Sequence, residues 1–156
     1  MTVSKIKVEE IDKLAPLFQA RDNAAFTRER VERINAGGCD IYVLEDGGRL
    51  VGEVTIIYDE REYEGYTIPG RRVFVQALRV LPECCGRGLG QYLMREVMRR
   101  VKNEGYAEMM IGVEDNNVAA RHIYGKLGFI EFVKRDKGRF EQDSFEYDVF
   151  LCRLLN

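Results

Sequence analysis

The sequence has little of what metal sites are built from. It contains a single histidine, His122, and four cysteines, none of them in a Cys-x-x-Cys pair: Cys39, Cys84, Cys85 and Cys152. Structural zinc sites need closely spaced cysteine and histidine ligands, so we expect no metal site. Free thiols are the expected state of these cysteines in a reducing compartment.

Long apolar runs and an excess of basic residues are also missing. No stretch of about 18 apolar residues occurs, and residues 1–5 lack the apolar run of a signal peptide. The 24 basic and 26 acidic residues are interspersed and sum to a net charge of −2, which gives no basic field for nucleic acid. We therefore predict a cytoplasmic protein with a small partner, no membrane and no nucleic acid.

The length and the apolar pattern predict one mixed α/β domain over residues 1–156. The chain is 46% hydrophobic, enough for a sizeable core at this size. The pattern predicts an edge strand within residues 2–10, short helices over 11–20 and from about 26 to 36, and a hairpin of strands 40–45 and 50–58. Residues 59–70 are predicted to be a solvated polar loop.

The most informative segment is the strand, glycine-bearing turn and helix start at residues 73–90. Three glycines, Gly86, Gly88 and Gly90, alternate with Arg87 and Leu89 where helical periodicity begins. Glycines allow a close backbone approach, and the first N–H groups of a helix lack intrahelical partners. Such an end attracts anions, above all phosphate.

Other kinds of glycine-rich loop fit this segment less well. A nucleotide-triphosphate loop needs lysine and then Ser or Thr after its last glycine, whereas Gly90 is followed by Gln91 and Tyr92. A dinucleotide fingerprint, which would make the protein an oxidoreductase, fits neither the glycine spacing nor the mid-chain position well. A plain strand-to-helix turn that uses glycine for positive φ stays open.

The second half of the chain predicts a parallel crossover. A helix from Leu89 to about residue 103 is followed by a strand at 107–113, and a strand, helix, strand order of this length implies a parallel pair in a mixed sheet. A further helix follows Asn117 and ends at Gly128 as its C-cap. Strands 129–133 and 144–151 are predicted to form a last antiparallel pair, separated by a charged loop at 134–143.

Two stretches together resemble the GNAT superfamily of acyl-CoA-dependent N-acetyltransferases. The family pattern is a strand ending L-x-V-x-P-E, then R/Q-x-x-G-x-G/A at a helix start, then N-x-x-A-x-x-x-Y and G-F. This sequence has Leu78 to Glu83, Cys85 to Gly90, Asn117 to Tyr124, and Gly128-Phe129, in that order. The resemblance covers nearly the whole chain, although the first forty residues match only in pattern.

The resemblance implies a fold and a cosubstrate. The fold is α+β: a central mixed, mostly antiparallel sheet of about seven strands, flanked by about four helices, with a splayed parallel pair at its centre. The cosubstrate is acetyl-CoA, with no metal. The residues implied in binding it are Leu78, Arg79, Val80, Cys85, Gly86, Arg87, Gly88, Leu89, Gly90, Asn117 and Tyr124.

Within that set the roles differ. N–H groups from Gly86 to Gly90 and the Arg87 side chain would hold the pyrophosphate, while Cys85 departs from the family's usual Arg or Gln. The pantetheine arm would lie along Leu78 to Val80, as in β-augmentation. Asn117 would bond the arm, with a plain helix N-cap as the alternative role.

Tyr124 resembles the family's catalytic acid. A phenol with a pKa near 10 is a reasonable proton donor to a thiolate whose conjugate acid has a pKa of about 8.5. Without the motif, a tyrosine at this position would be interpreted as a residue that packs in the core. The base stays open among Gln76, Glu53, Asp148 and water, and salt-bridged or solvated roles are the leading interpretation for both carboxylates.

The sequence thus predicts transfer of acetyl from acetyl-CoA to a primary amine by direct attack in a ternary complex. The alternative is a non-catalytic acyl-CoA-binding sensor or regulatory module. The acceptor is left open among small-molecule amines, polyamines, antibiotics, peptide N-termini and protein lysines, with residues 21–26 and 134–144 implied in its groove. A homodimer is a further expectation from the resemblance, although no surface stripe marks an interface.

Overall fold

The computed structural model describes residues 1–18, 20–140 and 142–154, with Phe140 described by its backbone alone. The seven strands are β1 (Thr2–Lys5), β2 (Cys39–Asp46), β3 (Arg49–Ile57), β4 (Arg72–Val80), β5 (Glu108–Glu114), β6 (Glu131–Phe140) and β7 (Asp143–Arg153). The α-helices are α1 (Asn23–Asn35), α2 (Leu89–Asn103) and α3 (Val118–Leu127). Short 3-10 helices cover Val8–Leu14, Arg61–Tyr63 and Pro82–Cys84.

The strands form one mixed sheet in the order β1-β2-β3-β4-β5-β7-β6. Among the described strands, β4 and β5 are the only parallel neighbours, joined by the α2 crossover, and the other five strand pairings are antiparallel. The predicted mixed sheet, its central parallel pair, the edge position of β1 and the β2–β3 hairpin are confirmed. The three α-helices and the seven-residue 3-10 helix Val8–Leu14 agree with the predicted total of about four helices.

Alternation along the strands divides the core between two faces of the sheet. On β4, Val73 and Val75 face the larger core, which contains the apolar side of α2 and is contacted by α3. Phe74, between them, faces the opposite side with Tyr66. The 3-10 helix Val8–Leu14 packs on β2 within a third cluster on that opposite side, because Ile41 alternates with the inward Tyr42.

The helix predicted over residues 11–20 is wrong. The observed element is the 3-10 helix Val8–Leu14, which starts earlier and ends six residues sooner. Residues three apart eclipse one another in a 3-10 helix. Ile11 and Leu14 have that spacing, and both are buried against the sheet. The edge strand is also shorter than the predicted range of 2–10, because pairing with β2 stops at Lys5.

The charged loop predicted at residues 134–143 is also wrong, because β6 continues as strand to Phe140 and pairs with β7 up to Asp143. The charges that favour a loop in the sequence are paired across the hairpin. Arg135 donates to Asp148 Oδ1 at 3.0 Å and to Glu146 Oε2 at 3.1 Å. Cross-strand pairing of opposite charges is compatible with a two-stranded ladder.

Candidate functional site

The glycine turn forms an open helix N-terminus. Gly86 and Gly88 have φ values of +80° and +74°, a left-handed conformation that favours glycine. Gly88 is the N-cap of α2 and supplies no side-chain cap, so the first N–H groups of this 15-residue helix have no side-chain acceptor at the cap. Backbone donors and the positive end of the helix dipole meet here, which is the chemistry that binds phosphate.

The parallel pair splays just before this turn. Strand β4 pairs with β5 from Arg72 to Val75, opposite Glu108 to Ile111, and the ladder between them has no further pairs in the described chain. Strand β4 nevertheless continues to Val80. A register shift against β3 coincides with Ala77, the one described non-glycine residue with positive φ, at +61°. This bulge turns β4 away from β5 and leaves the β5-facing edge of residues 77–80 open for a ligand strand.

Side chains of the splayed strand alternate between two environments. Leu78 and Val80 pack against the core under α2. Arg79 points to the other face, where its Nη1 lies 3.1 Å from Glu53 Oε1 and its guanidinium lies 4.0 Å from the centroid of the Phe18 ring. Leu78, Arg79 and Val80 are the residues predicted to line the pantetheine arm. Because its side chain is held on the other face, Arg79 could contact that arm only through its backbone.

The turn residues between the glycines have distinct placements. The Cys85 thiol lies 3.5 Å from the Leu81 carbonyl oxygen, turned back toward the strand end. Arg87 is exposed, with Nη2 3.5 Å from Asp46 Oδ2, so its charge is held close to the turn by a weak contact. Leu89 is buried and anchors the first turn of α2 to the core.

Asn117 precedes helix α3 as its N-cap, and Tyr124 lies within the helix. The Asn117 side-chain oxygen accepts the Ala120 N–H at 3.1 Å, so Asn117 is the N-cap that the alternative interpretation predicts. The cap uses the amide oxygen and leaves the NH₂ group as a possible donor to a ligand. Seven residues on, Tyr124 packs edge-to-face with Phe129 at a ring separation of 6.1 Å.

Burial raises the pKa of Tyr124 to about 12. Its phenol is therefore protonated throughout the neutral range, the state required of a proton donor. No hydrogen-bond partner of its hydroxyl is found in the described chain, so this donor is available to a bound molecule.

Both candidate carboxylates are paired with arginines, and Glu53 Oε2 alone has no partner in the described chain. Glu53 is completely buried, and its Oε1 pairs with Arg30 and Arg79. Asp148 bonds Arg121 at 2.7 Å and Arg135 at 3.0 Å, and hydrogen bonding to Arg121 is the main cause that lowers its pKa. The salt-bridged interpretation of both carboxylates is confirmed.

Gln76 is also held in place. Its Nε2 donates to the Tyr63 hydroxyl, and its Oε1 accepts from Arg33 Nη2 at 3.4 Å. Arg33 in turn forms a two-point pair with Glu60, at 2.8 and 2.7 Å. Gln76 is therefore positioned to orient groups at the sheet surface, and its neutral amide has no basic site.

Sequence reasoning missed an aromatic wall on this same face. Residues 59–70 were predicted to be solvated, yet Tyr66 is buried and packs with Tyr63 on Phe74. Tyr147 of β7 completes the wall, with its hydroxyl 3.2 Å from that of Tyr66. The sequence feature that could have revealed this wall is the pair of tyrosines three residues apart, Tyr63 and Tyr66, which acidic residues surround.

Neither a metal-binding group nor a membrane-spanning helix is found in the described part of the chain. No group of three or more His, Cys, Asp or Glu residues is placed to hold a metal ion. No helix in residues 1–18, 20–140 and 142–154 combines the length and the apolar character needed to cross a membrane.

Comparisons with known proteins agree with this geometry. The family model described as Acetyltransferase (GNAT) family matches residues 8–129. The L-amino acid N-acyltransferase MnaT of Escherichia coli K12 is 28% identical over 93 residues, which are 60% of this chain and 51% of that protein. The thialysine N-epsilon-acetyltransferase of Bos taurus is 23% identical over 124 residues, 76% of this chain and 73% of that protein.

A structural neighbour shows the same fold. The protein yncA from Salmonella typhimurium, solved with its cofactor acetyl-CoA, superposes with a TM-score of 0.71 at 18% identity, covering 100% of this chain and 95% of that one. The chain spans about half the length of its Escherichia coli relative, so whole-protein properties of that relative are not carried over. The family match extends over more than half of the chain, and the chain therefore belongs to the GNAT family of acetyltransferases.

Proposed function

We propose that this protein is an acetyl-CoA-dependent N-acetyltransferase that acts on a primary amine by direct attack in a ternary complex. The observation that carries the proposal is the open edge of β4 at residues 77–80, which leads from the end of the β4–β5 ladder into the glycine turn at the start of α2. An extended arm with an anionic end fits that combination.

The residues present fit acetyl-CoA. N–H groups of residues 86–90 would hold the pyrophosphate, and the positive φ of Gly86 and Gly88 aims the turn without a Cβ in the way. Backbone groups of Leu78 to Val80 would pair with the amides of the pantetheine arm, as an added strand does. Asn117 would donate its free NH₂ to the same arm.

The chemistry sets the requirements for the side chains. The cosubstrate supplies an activated acyl carbon, and an alkylamine with a pKa near 10.4 is neutral in only about one part in 2,500 at pH 7. The amine nitrogen forms a bond to the acyl carbon, the carbon–sulfur bond breaks, and the thiolate takes one proton. Tyr124 donates that proton and regains one from water, and the proton lost by the amine leaves through water because Glu53 and Asp148 are both paired with arginines.

The relatives support this assignment at the level of the reaction. Their names describe N-acyl and N-acetyl transfer, to an L-amino acid in one case and to thialysine in another. The structural neighbour carries acetyl-CoA. We also propose that the protein works in the cytoplasm, which agrees with the four free cysteines.

The acyl-CoA sensor is the competing function. A sensor needs the glycine turn and the open strand edge but has no use for a protonated phenol without a partner. Tyr124 has that character, because burial keeps it neutral and its hydroxyl has no partner in the described chain. This observation favours the enzyme.

The test is release of free thiol from acetyl-CoA in the presence of a panel of amines, with product confirmed by mass. We expect amine-dependent turnover, and we expect Tyr124→Phe to lower kcat by about 10- to 10⁴-fold with acetyl-CoA affinity within a few-fold. The phenyl ring keeps the contact with Phe129, so the variant should fold. Full activity in the Phe variant, with chemistry rate-limiting, would remove Tyr124 from the mechanism.

A further inference from the structure

The sheet face opposite α2 and α3 carries a group of hydroxyls and charges that the transfer chemistry does not use. Tyr63, Tyr66 and Tyr147, here called the tyrosine cluster, surround Phe74. Ring centroids of Tyr63 and Tyr66 lie 5.3 and 5.1 Å from that of Phe74, and the Tyr66 and Tyr147 hydroxyls are 3.2 Å apart.

The tyrosine cluster borders the mouth of the splay. Gln76 and Gly112 are the first residues after the last β4–β5 pair, Val75 and Ile111. Gln76 donates to the Tyr63 hydroxyl. The Tyr147 ring lies so close over Gly112 that a Cβ there would be 2.7 Å from a ring carbon. The cluster therefore lines the point that the proposed thioester would reach.

A lysine of the chain already places an ammonium group in this cluster. Lys134 Nζ lies 4.3 Å from the centroid of the Tyr66 ring and 3.5 Å from Asp136 Oδ2. The Tyr66 hydroxyl donates to the same Asp136 oxygen. An aromatic face and a carboxylate are the two groups that recognise a cation from different sides.

This lysine is held loosely. The Lys134 and Asp136 side chains are 45% and 38% exposed, and ion pairs at that exposure are weak and screened by salt. The Asp136 carboxylate is itself fixed, because its other oxygen accepts the Lys137 N–H at 2.8 Å. The site can therefore exchange its cation without losing its anion.

Acidic side chains as well as Lys134 act on the cluster. Burial first, and then the charges of Asp136 and Glu62, raise the pKa of Tyr147 to about 12, and burial followed by Glu62 raises that of Tyr63 to about 12. Two arginines near the cluster, Arg33 and Arg135, are paired with carboxylates. Glu60 pairs with Arg33, and the Arg135 side chain bonds Asp115, Asp148 and Glu146.

We propose that Tyr66, Tyr147 and Asp136 form an acceptor subsite for a second ammonium group, so that the acceptor is a diamine or other dibasic amine, and that Lys134 occupies this subsite until the acceptor displaces it. The inference rests on the proposed acetyltransferase function. A cation bound here would hold the acceptor at one end while its other, neutral amine reaches the splay.

The test compares α,ω-diamines of three to six carbons with n-alkylamines of the same lengths, at saturating acetyl-CoA. We expect KM for the best diamine to be about tenfold lower than for its monoamine partner, from one cation–π contact and one carboxylate contact. Asp136→Asn removes the carboxylate contact and keeps the cation–π contact, so it should raise the diamine KM about three- to tenfold and leave the monoamine KM unchanged. Lys134→Met should lower the diamine KM, whereas the control Lys137→Met should change neither.

A second measurement does not depend on turnover. Calorimetric titration of the same amines into the protein with CoA present should show tighter binding of the diamine, lost in Asp136→Asn. Turnover with equal KM and equal affinity for both amine classes would overturn the subsite and leave the acetyltransferase proposal standing. Asp136-dependent diamine binding without turnover would overturn the enzyme and support the subsite, and acetylation of Lys134 itself in place of its displacement would overturn the subsite.

Discussion

Gly90→Asp should weaken the binding of CoA, whereas Gly90→Ala should stabilise the protein and leave that binding unchanged. Gly90 is the second residue of α2 and is not among the glycines with positive φ. A Cβ at this position would lie 3.7 Å from Val80 Cγ2 and 3.9 Å from Leu78 Cδ2, which is ordinary van der Waals contact. Folding therefore supplies no reason for glycine here.

The two variants should change different quantities. Replacing glycine by alanine in a helix contributes up to about 1 kcal/mol to the free energy of unfolding, with less near the first turn. The family pattern allows alanine at this position, so the methyl group should leave the phosphate turn intact, whereas Gly90→Asp would bring a negative charge to it. Loss of one N–H bond to a charged phosphate costs about 1.5–3 kcal/mol, so the CoA Kd of Gly90→Asp should rise by about 10- to 150-fold.

Urea unfolding and CoA calorimetry on the purified variants measure both effects. Gly105→Ala is the matched control at the other end of α2, with φ of +103° and open space around its Cβ position. It should lower the free energy of unfolding by about 1–2 kcal/mol through left-handed strain and leave the CoA Kd unchanged. An unchanged CoA Kd in stably folded Gly90→Asp would refute the placement of the phosphates at this turn.

Three further predictions concern single side chains. Cys85→Arg restores the family's usual charge beside the phosphate turn and should tighten CoA binding by about 0.5–1 kcal/mol at low salt, an effect that calorimetry should find reduced in high salt. Glu53→Gln leaves Arg30 and Arg79 without their shared buried anion, so the free energy of unfolding measured in urea should fall by about 3–5 kcal/mol. A fall of less than about 1 kcal/mol would mean that water reaches this site. Burial raises the pKa of Tyr124 to about 12 from an unfolded value near 10. The stability that this shift contributes is therefore complete below pH 10 and is lost between pH 10 and 12. Tyr124→Phe should reduce the loss of stability in that window, and an unaltered pH profile would contradict the burial of the hydroxyl.

The parts of the fold that were predictable have local causes. The β2–β3 hairpin has a glycine pair between two apolar runs, and the start of α2 has the glycine turn followed by the apolar spacing that buries Leu93 and Val97. Helix α3 is bounded by Asn117 and Gly128, and both act as caps in the structure. In each case the residues that decide the conformation are neighbours in sequence.

The parts that were not predictable depend on distant partners. Residues 134–140 have the charge of a loop and become strand because Arg135 meets Asp148 and Glu146 across the hairpin. Tyr66 sits in a polar segment and is buried because Phe74 of β4 and Tyr147 of β7 lie against it. A sequence pattern does not show such distant pairings, so residues 134–140 and 59–70 were both predicted to be loops.

The most direct test of the proposed acetyl-CoA site is an NMR titration of the backbone amides with CoA. The account predicts saturable shifts at the amides of residues 78–80 and 86–90, with the edge strand β1 unaffected. Those positions are the open edge of β4 and the turn at the start of α2. Saturable binding with shifts confined to other parts of the chain, or no binding at millimolar CoA, would contradict the account.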